Sequence, residues 1–127
     1  MAEAAEQSLY ARLGGYEAIA AAVDDLLPRL TSDPQIGIYF HGHSTDSLRR
    51  ERQMTVDFFC EALGGPVHYR GRDMKIAHAG LRISESDWQV FVQHTQATLD
   101  AFGVSGKDRE DFLAVVVSLK EDIVESP

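Results

Sequence analysis

The amino-acid sequence predicts an all-α protein. Three observations carry that expectation. Apolar residues recur at three- and four-residue spacing through four long stretches, no stretch sustains the alternation of a half-buried strand, and Gly, Pro, Ser and Asp punctuate the ends of the periodic segments. Four substantial helices with wide apolar faces, joined by short connectors, are expected to pack as two helix pairs or as a bundle.

Taken in order, Ser8 is placed to cap a short helical turn through Leu13, which Gly14-Gly15 then breaks. From Tyr16 to about Thr31, Ile19, Val23, Leu26, Leu27 and Leu30 form one stripe for a core. Pro28 sits inside that stripe, removes a backbone donor and is expected to kink the last turn. Ser32-Asp33-Pro34 ends the helix, and Ile36 to Phe40 reads as another brief one. His41-Gly42-His43 has the look of a metal pair, but no third ligand stands at zinc spacing, so a solvated loop is expected.

Ser44 or Thr45 can cap the next helix, which should run to Leu63 with Leu48, Thr55, Phe58, Phe59, Ala62 and Leu63 inward. Glu51 and Met54 share that stripe. An unpaired carboxylate buried there would cost several kcal/mol, so the plain reading opens this end of the helix to solvent. After Leu63-Gly64-Gly65-Pro66, a polar and aromatic loop leads to a short amphipathic piece with Met74, Ile76 and Ala77, ending on His78 before Gly80. Ser84-Glu85-Ser86-Asp87 then opens a helix carrying Trp88, Phe91, Val92, Thr95, Leu99 and Phe102, stopped by Gly103. The last helix is expected from about Lys107 to Val124. Phe112, Val116, Leu119 and Ile123 line one side of it, and Leu113 and Val117 widen the stripe.

With 127 residues, 44% hydrophobic and 25% charged, the chain has the size and composition of one ordinary domain, residues 1–7 reading as a short flexible lead-in. No apolar run approaches the ~20 residues that span a bilayer. The N-terminus has no secretory pattern, so a cytoplasmic protein is expected. A single cysteine, Cys60, can form neither an internal disulfide nor a thiolate metal site, and reads as a small core hydrophobe. The net charge of −8 repels phosphate backbones, which speaks against nucleic acid. Arg49-Arg50-Glu51-Arg52 and Arg70-Gly71-Arg72 are basic islands on that acidic body, of a kind that holds a small anion.

Neither a nucleophile elbow nor a Cys/His signature is present. Gly64-Gly65 lacks the Lys-Ser/Thr of a phosphate loop, so hydrolytic and nucleotide-dependent chemistry have no support. What remains is His78, delivered at the end of a stiffly punctuated segment. By spacing alone such a histidine is more often a satisfied core residue than a ligand. His68 and His94 read as solvated or hydrogen-bonding side chains.

Leu9-Tyr10-x-Arg12-Leu13-Gly14-Gly15, Asp33-Pro34, Tyr39-Phe40, Leu63-Gly64-Gly65-Pro66, Tyr69, Gly71-Arg72-Asp73-Met74 and His78-Ala79-Gly80-Leu81-x-Ile83 occur in the order seen in group I truncated hemoglobins. The sequence resembles that family over essentially its whole length. The resemblance implies a two-over-two helical sandwich around heme b, with no catalytic side chain. It makes His78 the proximal iron ligand and sets Phe40 against the porphyrin. Tyr69 and Lys75 would stand near the propionates, and Phe58, Met74, Trp88 and Phe91 along the pocket wall. Leu48 and Glu51 complete the residues expected around the cofactor.

The distal side departs from the family pattern. Leu27 stands where many members carry a tyrosine, and Met54 and Thr55 stand where polar residues, often glutamine, are common. Three side chains are candidates to fill the gap: Thr55 as a hydrogen-bond donor, Glu51 as a second donor if protonated, and Met54 as a thioether ligand to the iron. The family implies binding of oxygen, nitric oxide and carbon monoxide, and nitric oxide dioxygenation with a reductase, by a monomer or weak dimer. The alternatives are a redox or peroxidase-like heme protein with Met54 as sixth ligand, and a heme-free helical interaction module. The ferric protein is expected to be six-coordinate, with Met54 the leading internal ligand; an absorption spectrum of Met54→Ala identical to wild type removes that ligand.

Overall fold

The computed structural model describes residues 8–40, 42 and 44–125, and is helical with no extended strand among them. The all-α expectation is met, and the His41 and His43 pair lies outside the described residues. Helix α1 (Leu9–Arg12) starts where the Ser8 hydroxyl accepts the Ala11 amide at 3.1 Å. Gly14, at φ +112°, then turns the chain into α2 (Gly15–Thr31).

Helix α2 is the hub, packing on α1, on α3 (Thr45–Ala62), on α5 (Glu85–Ala101) and on a 3-10 turn, Gly37–Phe40. Its stripe behaves as expected: Ile19, Ala20, Val23, Leu26 and Leu30 are buried, and half-buried Leu27 sits between the main core and a smaller cluster of Leu26, Leu30 and Ile36. Pro28 does not end the helix. The Thr31 and Ser32 hydroxyls both donate to its carbonyl, at 3.4 and 2.7 Å, and α2 continues to Thr31. Gly37 is required where the chain passes beneath this end, because a Cβ there would lie 2.6 Å from the Thr31 carbonyl oxygen.

Polar side chains hold the Gly37–Phe40 turn in place. Asp33 accepts the amides of Gln35 and Ile36 at 2.7 and 3.1 Å, and its other oxygen meets His94 Nε2 at 2.7 Å. Tyr39 donates its hydroxyl to Asp87 at 2.6 Å, and Gln35 donates to the other oxygen of the same carboxylate at 2.7 Å. Burial alone would raise the Asp87 carboxyl, but the hydrogen bonds from Tyr39, Gln35 and Ser84 outweigh it and hold the group at about 2. The Tyr39 phenol is pushed up to about 12, first by burial and then by the adjacent carboxylate.

Helix α3 is capped by Ser44, and its core face differs from the expected one. Val56 and Cys60 are fully buried with Phe59 and Leu63, whereas Leu48 is 38% exposed and Ala62 faces outward. The residues at 56, 59, 60 and 63 form one 3.6-period face against α2, so the Leu48, Thr55 and Phe58 side turns to the next sector of the helix. Helix α4 (Met74–His78) and α5 follow, α5 opening with the expected capping box between Ser84 and Asp87. Phe102 is 44% exposed because it caps α5 just before the Gly103 turn, instead of extending the core stripe.

The last helix is not continuous. It divides into α6 (Gly106–Ser118) and α7 (Lys120–Ile123), because the Ser118 hydroxyl takes the Val115 carbonyl and the Leu119 amide reaches back only three residues, to Val116. Val116 and Ile123 still reach the core, but Val117 is 61% exposed and does not widen the stripe. Helix α7 packs on α4. No helix among the described residues is long and apolar enough to cross a membrane.

The two faces of α3 are separable by mutation. Val56→Ala is expected to lower unfolding stability by about 2 kcal/mol in urea and Leu48→Ala by well under half of that; equal losses would place the core on the wrong face. The Tyr39–Asp87 pair has a pH signature. A carboxyl lowered from 3.8 to about 2 contributes fully above pH 4, and that stability is lost as the pH falls through 2. Asp87→Asn should flatten the acid limb of a stability–pH curve in that window, and Tyr39→Phe should cost about 1.5 kcal/mol at neutral pH.

Candidate functional site

The segment that carries His78 is shaped by close contacts. The Tyr10 amide donates to the Leu63 carbonyl at 2.9 Å, and the Tyr10 ring lies so near Gly65 that any side chain there would collide with it. Tyr69 stacks edge-on against Phe58, with ring centroids 5.3 Å apart at 84°, and donates its hydroxyl to the Arg72 carbonyl at 2.7 Å. Gly71 is needed beneath that ring for the same reason as Gly65. Burial pushes the Tyr69 phenol up. Its proton is engaged in holding the loop.

Helix α4 is one short turn, nucleated by Asp73, whose carboxylate accepts the Ile76 amide at 3.0 Å. At its far end His78 Nδ1 lies 2.8 Å from the Met74 carbonyl oxygen, one helical turn back. A carbonyl can only accept, so Nδ1 carries the proton of the neutral ring and Nε2 keeps a lone pair. No described residue hydrogen-bonds to Nε2. This is the arrangement of a ligating imidazole, in which one nitrogen is oriented by the backbone and the other is left basic.

A cleft of about 220 Å³ opens between α2, the 3-10 turn and α3, lined by Leu27, Pro28, Thr31, Phe40, Leu48 and Glu51. Four of these, Leu27, Phe40, Leu48 and Glu51, are residues that the sequence nominates. Pro28 and Thr31 are additions, and Thr31 could have been found, since it lies four residues after Leu27 on the same helical face. Thr55 is half-buried one turn along α3, but its hydroxyl donates to the Glu51 carbonyl at 2.7 Å, within its own helix. Met54 is 43% exposed and outside the lining.

The other nominated residues lie outside that lining. Phe58, Met74 and Phe91 are half-buried against the main core, and Phe91 and Phe40 also pack on the Leu26, Leu30 and Ile36 cluster. Trp88 is 4% exposed and belongs to the core itself, its ring 5.4 Å from that of Phe91. Lys75 is exposed on α4. A larger apolar cavity, about 310 Å³, lies behind α2 among Ile19, Val23, Phe59, Leu99 and Phe112, and shares none of the nominated residues. His94 and His68 stand as expected, with carboxylates at 2.7 Å (Asp33) and 3.5 Å (Glu61).

Helix α4 packs chiefly on α7 and makes no comparable contact with α3. Both helices leave apolar side chains uncovered: Leu48 at 38% and Met54 at 43% exposed on α3, and Ile76 at 57% on α4. Among the described residues, no group of three or more His, Cys, Asp and Glu side chains could hold a bare metal ion. A histidine with one basic nitrogen, together with uncovered apolar side chains, suits an apolar group better than a solvated cation.

Comparison with known proteins gives the family. The family model of bacterial-like globins matches residues 8–125. A group 1 truncated hemoglobin of Chlamydomonas moewusii is 35% identical over 122 residues, 94% of this chain and 70% of that one. Another, from Mycolicibacterium paratuberculosis, is 32% identical over 116 residues, 91% of this chain and 83% of its own length. The crystal structure of the ferric truncated hemoglobin from Tetrahymena pyriformis superposes with a TM-score of 0.85 at 28% identity, covering 94% of this chain and all of that one. The chain therefore belongs to the group 1 truncated hemoglobins, with their two-over-two helical fold.

Proposed function

We propose that residues 8–125 form a single domain that holds heme b between α3 and α4, with His78 as the axial ligand, and binds oxygen, nitric oxide and carbon monoxide on the opposite face. The observation that carries this reading is the 2.8 Å contact of His78 Nδ1 with the Met74 carbonyl, which leaves Nε2 as a lone-pair donor. Heme, when bound, would supply an iron atom able to take a diatomic ligand, with His78 holding the iron. The chain's own residues do the rest. Phe40, Leu27 and Leu48 present apolar surface that excludes water, and Phe58, Met74, Trp88 and Phe91 back it.

Charge suits the cofactor's carboxylates. Arg12, Arg29, Arg52, Lys107, Arg109 and Lys120 each have a carboxylate within 3.3 Å. Arg70, Arg72, Lys75 and Arg82 form no ion pair among the described residues, and all four lie in the segment that carries His78. Lys75, supported by Arg72 beside Tyr69, is the proposed partner of the propionates.

The distal face sets the gas chemistry. Leu27 has no donor, and Thr55 spends its proton on the Glu51 carbonyl, so Glu51 is the polar side chain of the cleft itself together with Thr31. Without a tyrosine hydroxyl, oxygen is held mainly by apolar contact and released quickly, which suits turnover or transport over storage. Nitric oxide dioxygenation follows if a reductase supplies electrons to a monomeric or weakly dimeric cytoplasmic protein. A half-exposed Met54 supports an internal sixth ligand less than it supports gas binding.

The purified protein should show a Soret band that is lost in His78→Ala; an apoprotein that takes up no heme rejects the reading. Leu27→Tyr should slow oxygen release about tenfold or more, the worth of one hydrogen bond to a polarised ligand at roughly 1.5 to 3 kcal/mol. An unchanged off-rate measured by stopped flow would mean that Leu27 does not face the gas.

A further inference from the structure

Beyond α4, the chain reverses through Ala79 to Ile83 in an unusual conformation. Gly80 has φ +85° and Arg82 has φ +58°, the one non-glycine residue in the left-handed region among those described. An L side chain is rarely stable there without support from its surroundings. The support comes from the far end of the chain. Glu125 accepts the Gly80 amide on one carboxylate oxygen at 3.0 Å and the Arg82 amide on the other at 2.7 Å, while its own amide donates to the Ile83 carbonyl at 2.8 Å. The residue between the two clamped amides, Leu81, donates its N–H to the carbonyl of His78 at 3.3 Å.

We infer that Glu125 is a positioning residue for His78, its carboxylate fixing the left-handed turn that closes α4 and so setting the orientation of the imidazole. Both carboxylate oxygens are used on backbone donors that no side chain of the loop reaches, and the packing of α7 on α4 brings the tail to this place. A carboxylate on two amides forms the stronger, charge-assisted kind of hydrogen bond. Its loss leaves Arg82 in a strained conformation, with only the backbone bonds from Glu125 to Ile83 and from Leu81 to His78 opposing relaxation of the turn. The inference rests on the proposed role of His78 as the axial ligand.

The test uses the full chain as wild type, Glu125→Ala, Glu125→Gln, and Glu125→Ala combined with Arg82→Gly. In the apoprotein, the Gly80 and Arg82 amides should exchange with solvent about tenfold faster in Glu125→Ala than in wild type, the size expected for one charge-assisted hydrogen bond. Glu125→Gln, which keeps one acceptor oxygen, should fall between the two. In the heme-loaded ferrous protein, the iron–histidine stretching band should shift or broaden in Glu125→Ala. Arg82→Gly should bring it back toward wild type, because glycine adopts φ +58° without strain. Faster amide exchange with an unmoved stretching band would show that the clamp forms but does not act on His78, and would overturn the inference alone. Unchanged amide exchange would overturn the clamp itself. A wild-type protein that takes up no heme would reject the axial role of His78 and this inference with it.

Discussion

Helix α3 carries apolar side chains on two faces, and the chain covers only one of them. Val56, Phe59, Cys60 and Leu63 meet α2 and complete the core, while Leu48 and Met54 stay 38% and 43% exposed on the neighbouring sector. Exposed apolar surface of this extent is unfavourable at roughly 25 cal/mol per Å², so a face of this kind is kept where something else covers it. The short α4 packs chiefly on α7 rather than on α3, and is held by Asp73 at one end and by the C-terminal tail at the other.

The two parts of the candidate site are built by different physics. On the α4 side the structure is backbone-determined: glycines pressed against Tyr10 and Tyr69, a carboxylate cap, and a carbonyl that selects the tautomer of His78. On the α2 and α3 side it is a matter of side-chain chemistry. A leucine, a threonine engaged within its own helix and a glutamate line or adjoin the cleft, so hydrogen-bonding capacity there is small and concentrated in few groups. In the proposed reading the first arrangement holds the ligating nitrogen, and the second sets how strongly a small molecule is retained.

Polar anchoring outside the candidate site keeps the aromatic wall in register. The turn that delivers Phe40 carries no long helix of its own, and depends on the Tyr39–Asp87 and Asp33–His94 contacts to the α5 side of the molecule. Asp87 serves twice, capping α5 and accepting from Tyr39 and Gln35. The start of that helix and the position of Phe40 are therefore mechanically one feature.

The sequence by itself determined the helices, their caps and most of the cleft. Periodic apolar spacing, Ser44, Ser84 and Asp73 as caps, and the glycine breaks are local signals, and each acts within a few residues of where it is read. The family motifs placed His78, Phe40 and Leu27 because identity and spacing travel together along the chain. Tertiary structure alone decided which face of α3 is core, since Thr55 and Val56 are adjacent in sequence and only contact with α2 separates them. It also decided the meeting of Glu125 with Gly80 and Arg82, two amides more than 40 residues away. Those outcomes rest on long-range packing, which no window along the chain contains.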